Sequence, residues 1–201
     1  MKIGLVFCCM KESKNGFWVS WNGNLKHSFN SLLEVTNEKE LSSIIEGSDS
    51  VRFFGNKQSS SDIAAGKSTL IDMRKMNKVL LVDTANKRIT IQAGAPLELL
   101  IKIAEENNWC IPCLPDINTI TIGGAIATGT HGTNGKLLSE YIHSCKMITA
   151  DGKITLIDEN HKLFGAVKVS FGSLGHITLI FGIDETTDIS SMVWWVLPSV
   201  E

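Results

Sequence analysis

No charge of one sign dominates the chain. Nineteen lysines and arginines stand against 21 aspartates and glutamates, net −2, so no field would draw nucleic acid or an anionic membrane. Long hydrophobic runs are missing: no stretch approaches the roughly 18–20 apolar residues of a membrane-spanning helix. There is no HExxH pair and no His/Cys quartet, so no metal is expected. The cysteines (Cys8, Cys9, Cys110, Cys113 and Cys145) are odd in number and two are adjacent. That pattern excludes a disulfide framework and points to reduced thiols in a cytoplasmic setting. The opening MKIGLVFCCM has too short an apolar stretch, with no small-residue cleavage site after it, to read as a secretion signal. No internal repeat or low-complexity tract is visible.

What is present is ordinary globular material. With 43% hydrophobic and 20% charged residues over 201 positions, the chain can bury a sizeable core as one large domain or two small ones. Asn37 reads as a helix cap with Glu40 reaching back, Leu41, Ile44 and Ile45 as one helical face, and Gly47 as its stop. Val51–Phe54 reads as a strand running into a small polar loop over residues 56–68. Val79–Val82 reads as a short buried strand, hairpinned to Ile89–Ala93, whose alternation predicts one wet face. Pro96 opens a helix with Leu97, Leu100, Ile101 and Ala104 as its stripe. Ile142–Thr149 and Ile154–Ile157 form a second hairpin around Asp151-Gly152, and a strand closes Phe171–Ile183. Strands outnumber helices, so the fold class is α+β.

Three glycine-punctuated segments are candidates for chemistry. In the first, Arg52 to Asp62, a strand enters a loop holding Gly55, Asn56, Lys57, Gln58 and Ser59. Converging amides there would form a nest for phosphate oxygens, with Lys57 adding charge. Composition alone favours an ordinary surface turn. The second holds Gly123, Gly124, Gly129, Gly132 and Gly135 with the hydroxyls of Thr121, Thr128, Thr130 and Thr133, and would let a ligand lie on main chain. A mobile loop is the plain alternative, although Ile120, Ile122 and Ile126 argue for anchoring. His131 in this segment would more often be structural than catalytic. The third, Phe171 to Thr178, is weak alone. Cys110 and Cys113 imitate a redox pair, but they follow a helix and Pro115 comes just after. A helix starting at Cys110, which would stabilise its thiolate, is not expected.

In order and spacing these segments resemble the FAD-binding domain of the sugar-1,4-lactone oxidases (gulonolactone, arabinonolactone and alditol oxidase-like) of the vanillyl-alcohol oxidase superfamily. The specific part is DINTITIGGAIATGTHGTN, residues 116–134, supported by WNGN at 21–24, DMRKMNKV at 72–79, IQAGA at 91–95 and GSLG at 172–175. The resemblance implies a PCMH-type FAD-binding domain of two α/β subdomains over residues 18–183, after an N-terminal extension at 1–17 and before a divergent tail at 184–201. Arg52 and Gly55–Ser59 would hold the pyrophosphate end. Asp116, Thr121, Gly124, Thr128, Gly129, Thr130 and His131 would run beside the flavin and phosphates, and Gly175 and Ile177 would meet the adenosine end. Many members carry a flavin-linked histidine where this chain has Gln58, so FAD is expected to be non-covalent. The implied substrate is a sugar lactone or polyol. The substrate-binding cap domain and its catalytic residues are not expected within these residues, so a missing cap or partner chain is implied. The apolar Trp194 and Trp195 would suit such a surface. A cofactor-binding module or a truncated remnant without catalysis stands as the alternative.

Overall fold

The computed structural model describes residues 12–64, 69–133, 135–183 and 187–188. Cys8, Cys9, Asn134, Trp194, Trp195 and residues 65–68 of the polar loop lie outside them. Strand β1 (Glu12–Val19) and strand β2 (Lys26–Glu34) pair antiparallel around the turn at residues 20–25. Period-two alternation is visible on β1: Trp18 is buried between exposed Phe17 and Val19. Helix α1 (Glu38–Glu46) starts where expected. The Asn37 side chain accepts from the Glu40 amide at 3.0 Å, while the Glu40 carboxylate reaches back to the Thr36 amide and hydroxyl, each at 3.0 Å. Strand β3 (Val51–Phe54) and strand β4 (Thr69–Asp72) complete a first sheet of order β1-β2-β4-β3, in which β4 runs parallel to both neighbours. Leu41, Ile44 and Ile45 of α1 pack onto it with Ile71, Met73 and Met76.

Strand β5 (Val79–Asp83) and strand β6 (Arg88–Gln92) form the expected hairpin. Helix α2 (Leu97–Glu106), capped by Pro96, leads to strand β7 (Trp109–Cys110) and, further on, helix α3 (Ile122–Ala127). Strand β8 (Ile142–Ile148) and strand β9 (Ile154–Asp158) make the next hairpin. After helix α4 (Phe164–Val167), strand β10 (His176–Ile183) inserts between the two hairpins. The second sheet has the order β5-β6-β10-β8-β9 and is antiparallel throughout. Strand β11 (Thr187–Asp188) pairs with β7. The mixed sheets and interleaved helices make the fold α+β.

Two expectations need correction. Val79–Val82 is a strand but not a buried one: it lies at a sheet edge with a register shift between Val79 and Leu81. Leu80 and Leu81 are exposed while Val79 and Val82 turn to the core. Its partner β6 has no wet face at its centre, because Thr90 is buried between Ile89 and Ile91. The parallel strand β4, the β1–β2 hairpin and α3 were not anticipated. No helix among the described residues is long and apolar enough to cross a membrane.

The sheets are joined by a small set of contacts. Ile148 of β8 packs into the core under α1. The register of β10 against β8 skips Thr178, a bulge. The Thr178 hydroxyl, fully buried, donates to Glu38 Oε1 at 2.7 Å, and Lys146 Nζ lies 3.2 Å from Glu38 Oε2. Ser42 Oγ of α1 donates to the Gly152 carbonyl at 2.7 Å. Tightest of all is Gly94, just past β6, where a Cβ would stand 1.8 Å from the Met73 carbonyl oxygen and 2.7 Å from that of Met76. No side chain fits there without moving backbone. Gly94→Ala is therefore expected to lose at least about 2 kcal/mol of stability by overpacking. Gly165→Ala, in α4 with nothing within 4 Å of its added methyl, should be neutral or stabilising. Urea denaturation of the two variants checks the contrast.

Candidate functional site

Where β3 ends, its loop faces α3 and the start of β10 across a cleft of about 490 Å³ between the two sheets. That volume lies within the range of small-molecule and cofactor sites. Of the residues nominated from sequence, Arg52, Gly55, Asn56, Lys57, Gln58, Ser59, Thr121, Gly124, Thr128, Thr130, Gly175 and Ile177 line it. Asp116 and His131 are exposed, and neither they nor Gly129 is among its lining residues. His131 Nδ1 sits 3.2 Å from the Gly132 carbonyl, and its backbone bridges to Leu137.

The β3 loop is held at both ends of its turn. The Lys57 carbonyl accepts from the Trp21 amide at 3.1 Å. Asn56 Nδ2 donates to the Thr119 carbonyl, and Gln58 Nε2 donates to Thr119 Oγ1 at 3.3 Å. Lys57 itself has φ 59°, the left-handed region, which costs a non-glycine residue about 1 kcal/mol or more. Among the described residues the amides of Gly55–Ser59 find no protein acceptor. The Lys57 ammonium, 5.3 Å over the Phe54 ring, has no carboxylate partner among them. Unpaired amides beside a left-handed turn and a free cation make an anion-binding concavity.

The opposite wall is α3, a helix that composition had disguised as a glycine loop. Its first turn hooks onto the strand end: the Ile122 amide donates to the Ala95 carbonyl at 2.9 Å and the Gly123 amide to that of Ala93 at 2.7 Å. A Cβ on Gly123 would stand 2.9 Å from that of Ala93, so this glycine serves packing. Gly123 and Gly124 both line the cleft; at Gly124 an added Cβ would meet only the Thr121 hydroxyl, at 3.1 Å. Thr121 caps the helix with its backbone alone, leaving its hydroxyl without a capping bond. Thr128 Oγ1 bonds back to the Gly124 carbonyl at 2.9 Å.

Sequence reasoning missed Met73 and Ser170 as lining residues, and gave no role to Phe53, Phe171 and His176, which lie within the segments it singled out. His176 is the notable one. Its ring stacks on Phe53, centroids 4.1 Å apart and planes 24° from parallel. Its Nε2 is sealed from solvent and has no hydrogen-bond partner among the described residues, although the residue as a whole keeps some exposure. Burial pushes its pKa down to about 3. The signal was its position, a histidine directly after GSLG, but which face of β10 it would occupy needed the register. No helix starts at Cys110, which lies in β7, and the Cys113 thiol donates to the Lys136 carbonyl at 3.3 Å.

Residues 30–158 match the family described as FAD binding domain. The chain belongs to that family. It is 34% identical over 153 residues to L-gulonolactone oxidase of Bos taurus, covering 71% of this chain and 35% of that protein. It is 31% identical over 169 residues to L-gulono-1,4-lactone dehydrogenase of Mycobacterium tuberculosis, covering 81% of this chain and 39% of the other. The structure of cholesterol oxidase from B. sterolicum shares the fold with a TM-score of 0.75 at 14% identity, over 86% of this chain and 37% of its own. The chain thus spans little more than a third of the length of these relatives. The cleft suits the family's cofactor on its own terms: elongated FAD needs a long groove with an anion site for its diphosphate, and the loop at 55–59 supplies one.

His176 makes this fold acid-sensitive. Its ordinary pKa of 6.5 falls to about 3 in the folded chain. Between those values the unfolded chain binds a proton that the folded chain does not, so stability falls as pH drops from about 6.5 toward 3, by up to about 1.4 kcal/mol per unit. The stability difference between wild type and His176→Val, from urea melts at successive pH values, should be flat above pH 7 and shift in favour of the variant below 6.

Proposed function

We propose that this chain is the cofactor-binding part of a sugar-1,4-lactone oxidase or dehydrogenase, and that it holds FAD without a covalent bond. The observation that carries the reading is the β3 loop: unpaired amides, Lys57 in a left-handed turn, and Gln58 rather than histidine, all facing the α3 wall within the domain that matches the family. Bound FAD would accept hydride from a CH–OH group of the substrate. The part of these residues is to hold and orient. The Gly55–Ser59 amides and Lys57 would neutralise the diphosphate, and Gly124 and Thr121 would let the ligand lie close to main chain. The Gln58 amide bonds to Thr119 and offers no imidazole nitrogen for attachment.

Sugar-lactone oxidation is supported by the names of the relatives. Groups that bind and deprotonate the substrate are assigned to a further domain or a partner chain, in keeping with the relatives' greater length. A cytoplasmic setting is supported by the reduced thiols of Cys113 and Cys145.

An absorbance spectrum before and after acid precipitation tests the attachment. The flavin band is expected to move wholly to the supernatant; flavin kept in the pellet would overturn the non-covalent reading, and a colourless chain that takes up no added FAD would overturn the rest. A second expectation concerns Lys57. Lys57→Gly relieves the strained turn and removes the cation, so the variant should gain about 1 kcal/mol in stability while its Kd for FAD rises about tenfold at low salt, with a weaker salt dependence. Urea melts and fluorescence titrations read the two effects separately.

A further inference from the structure

Among the described residues, four other than glycine have positive φ: Lys57, Lys87, Asn108 and Phe171. Lys87 closes the loop between β5 and β6, and Asn108 follows the end of α2, places where left-handed backbone is common. Lys57 and Phe171 line the cleft. Phe171, with φ 51°, is followed by Gly172 with φ 73°, and the Ser173 amide donates to the Ser170 carbonyl at 2.9 Å. Positive φ at both central residues marks a type I′ turn, whose first central position favours asparagine, aspartate or glycine. A bulky side chain there is strained. The turn is nonetheless pinned. The Ser173 hydroxyl also donates to the Ser170 carbonyl, at 2.6 Å, and the Phe171 amide donates to the Ala127 carbonyl at the end of α3, at 3.0 Å. Phe171 keeps 53% exposure, so burial in a core does not offset the strain.

We propose that Phe171 is a specificity residue of the cleft, its ring a stacking plate for a planar heteroaromatic ring of the ligand. The inference rests on the FAD reading of the cleft and adds a contact that main chain cannot make. Amides and hydroxyls along residues 55–59 and α3 suit phosphate and hydroxyl groups, and neither takes up the face of a flat ring. An aromatic side chain does. One that is half exposed, and tied through its own amide to the α3 wall, is in position before the ligand arrives. Asparagine at the same place would make the turn without strain, so the phenyl ring itself is what the strain maintains. FAD carries two planar rings, flavin and adenine, and the stack is with one of them. With no covalent link expected at Gln58, retention of the ligand rests on contacts of this kind.

Titrations of wild type, Phe171→Asn and Phe171→Tyr with FAD, FMN and ADP test this, since FMN lacks adenine and ADP lacks the flavin. The Asn variant is expected to bind FAD about tenfold more weakly, a loss of the size of one ring stack. The same loss with FMN alone identifies the flavin as the stacked ring, and with ADP alone the adenine. Tyr, which keeps the ring, should bind FAD as wild type does. In urea melts the Asn variant should unfold at a higher concentration than wild type, because the turn is relieved; a ring kept for packing would move the midpoint down. Independently of any variant, the Phe171 ring-proton resonances in wild type should shift upfield on saturation with FAD. Unaltered FAD affinity in the Asn variant, equal losses for FMN and ADP, a lowered urea midpoint, or unmoved ring resonances would overturn the proposal. A wild type that binds no FAD fails before any variant is made, and that result overturns the FAD reading itself.

Discussion

Among the described glycines, Gly94 leaves the least room for a side chain, and what occupies that room is backbone. Gly94 leaves its strand with no room for a single carbon between it and the Met73 carbonyl. The rest of the site is dimensioned from that contact. Ala93 and Ala95, on either side of it, receive the first two amides of α3, and the Ala93 amide donates to the Thr178 carbonyl at 3.1 Å. One short segment thus sets the spacing of the two sheets, seats the helix that forms one wall of the cleft, and fastens the strand that carries His176. A cleft between two layers is only as defined as the distance between them, and a steric stop defines distance more sharply than apolar contact, which is non-directional.

Polar groups then fix the lateral position. Glu38 sits in the first turn of α1, where a carboxylate suits the helix dipole, and takes a hydroxyl from β10 and an ammonium from β8. Burying Thr178 is tolerable because its hydroxyl is satisfied, and the bulge in β10 is where its pairing with β8 skips that residue. His176 is two residues away on the same strand and has no such partner among the described residues. Within one turn of the chain the fold pairs one buried polar side chain and leaves the other open.

Much of this was legible from local pattern. The Asn37 cap, the stripe of α2 and both hairpins follow from period and turn chemistry, and the loop after β3 was recognisable from its small polar residues. Other features depended on partners distant in sequence. The exposure of Leu80 and Leu81 comes from an edge position that no four-residue window contains. Gly123 looked like a ligand contact because glycine signals close approach without saying to what; the neighbour is Ala93. Asn56 and Gln58 were placed in a cofactor-holding loop, but the tie of both side chains to Thr119, more than sixty residues on, was not legible. His176 was passed over because facing is decided by register, and the register of β10 belongs to two strands far upstream.

The position of β10 also orders events in time. The first sheet is complete by Asp72, within reach of a nascent chain a third of the way through these residues. The second sheet exists only as two separate hairpins until β10 is made, because that strand is the one between them. Its arrival joins β6 to β8, closes the far wall of the cleft and delivers Thr178 to Glu38, all at once and all through long-range contacts that form slowly. On the ribosome, the two hairpins of the second sheet wait with unpaired strand edges until β10 emerges.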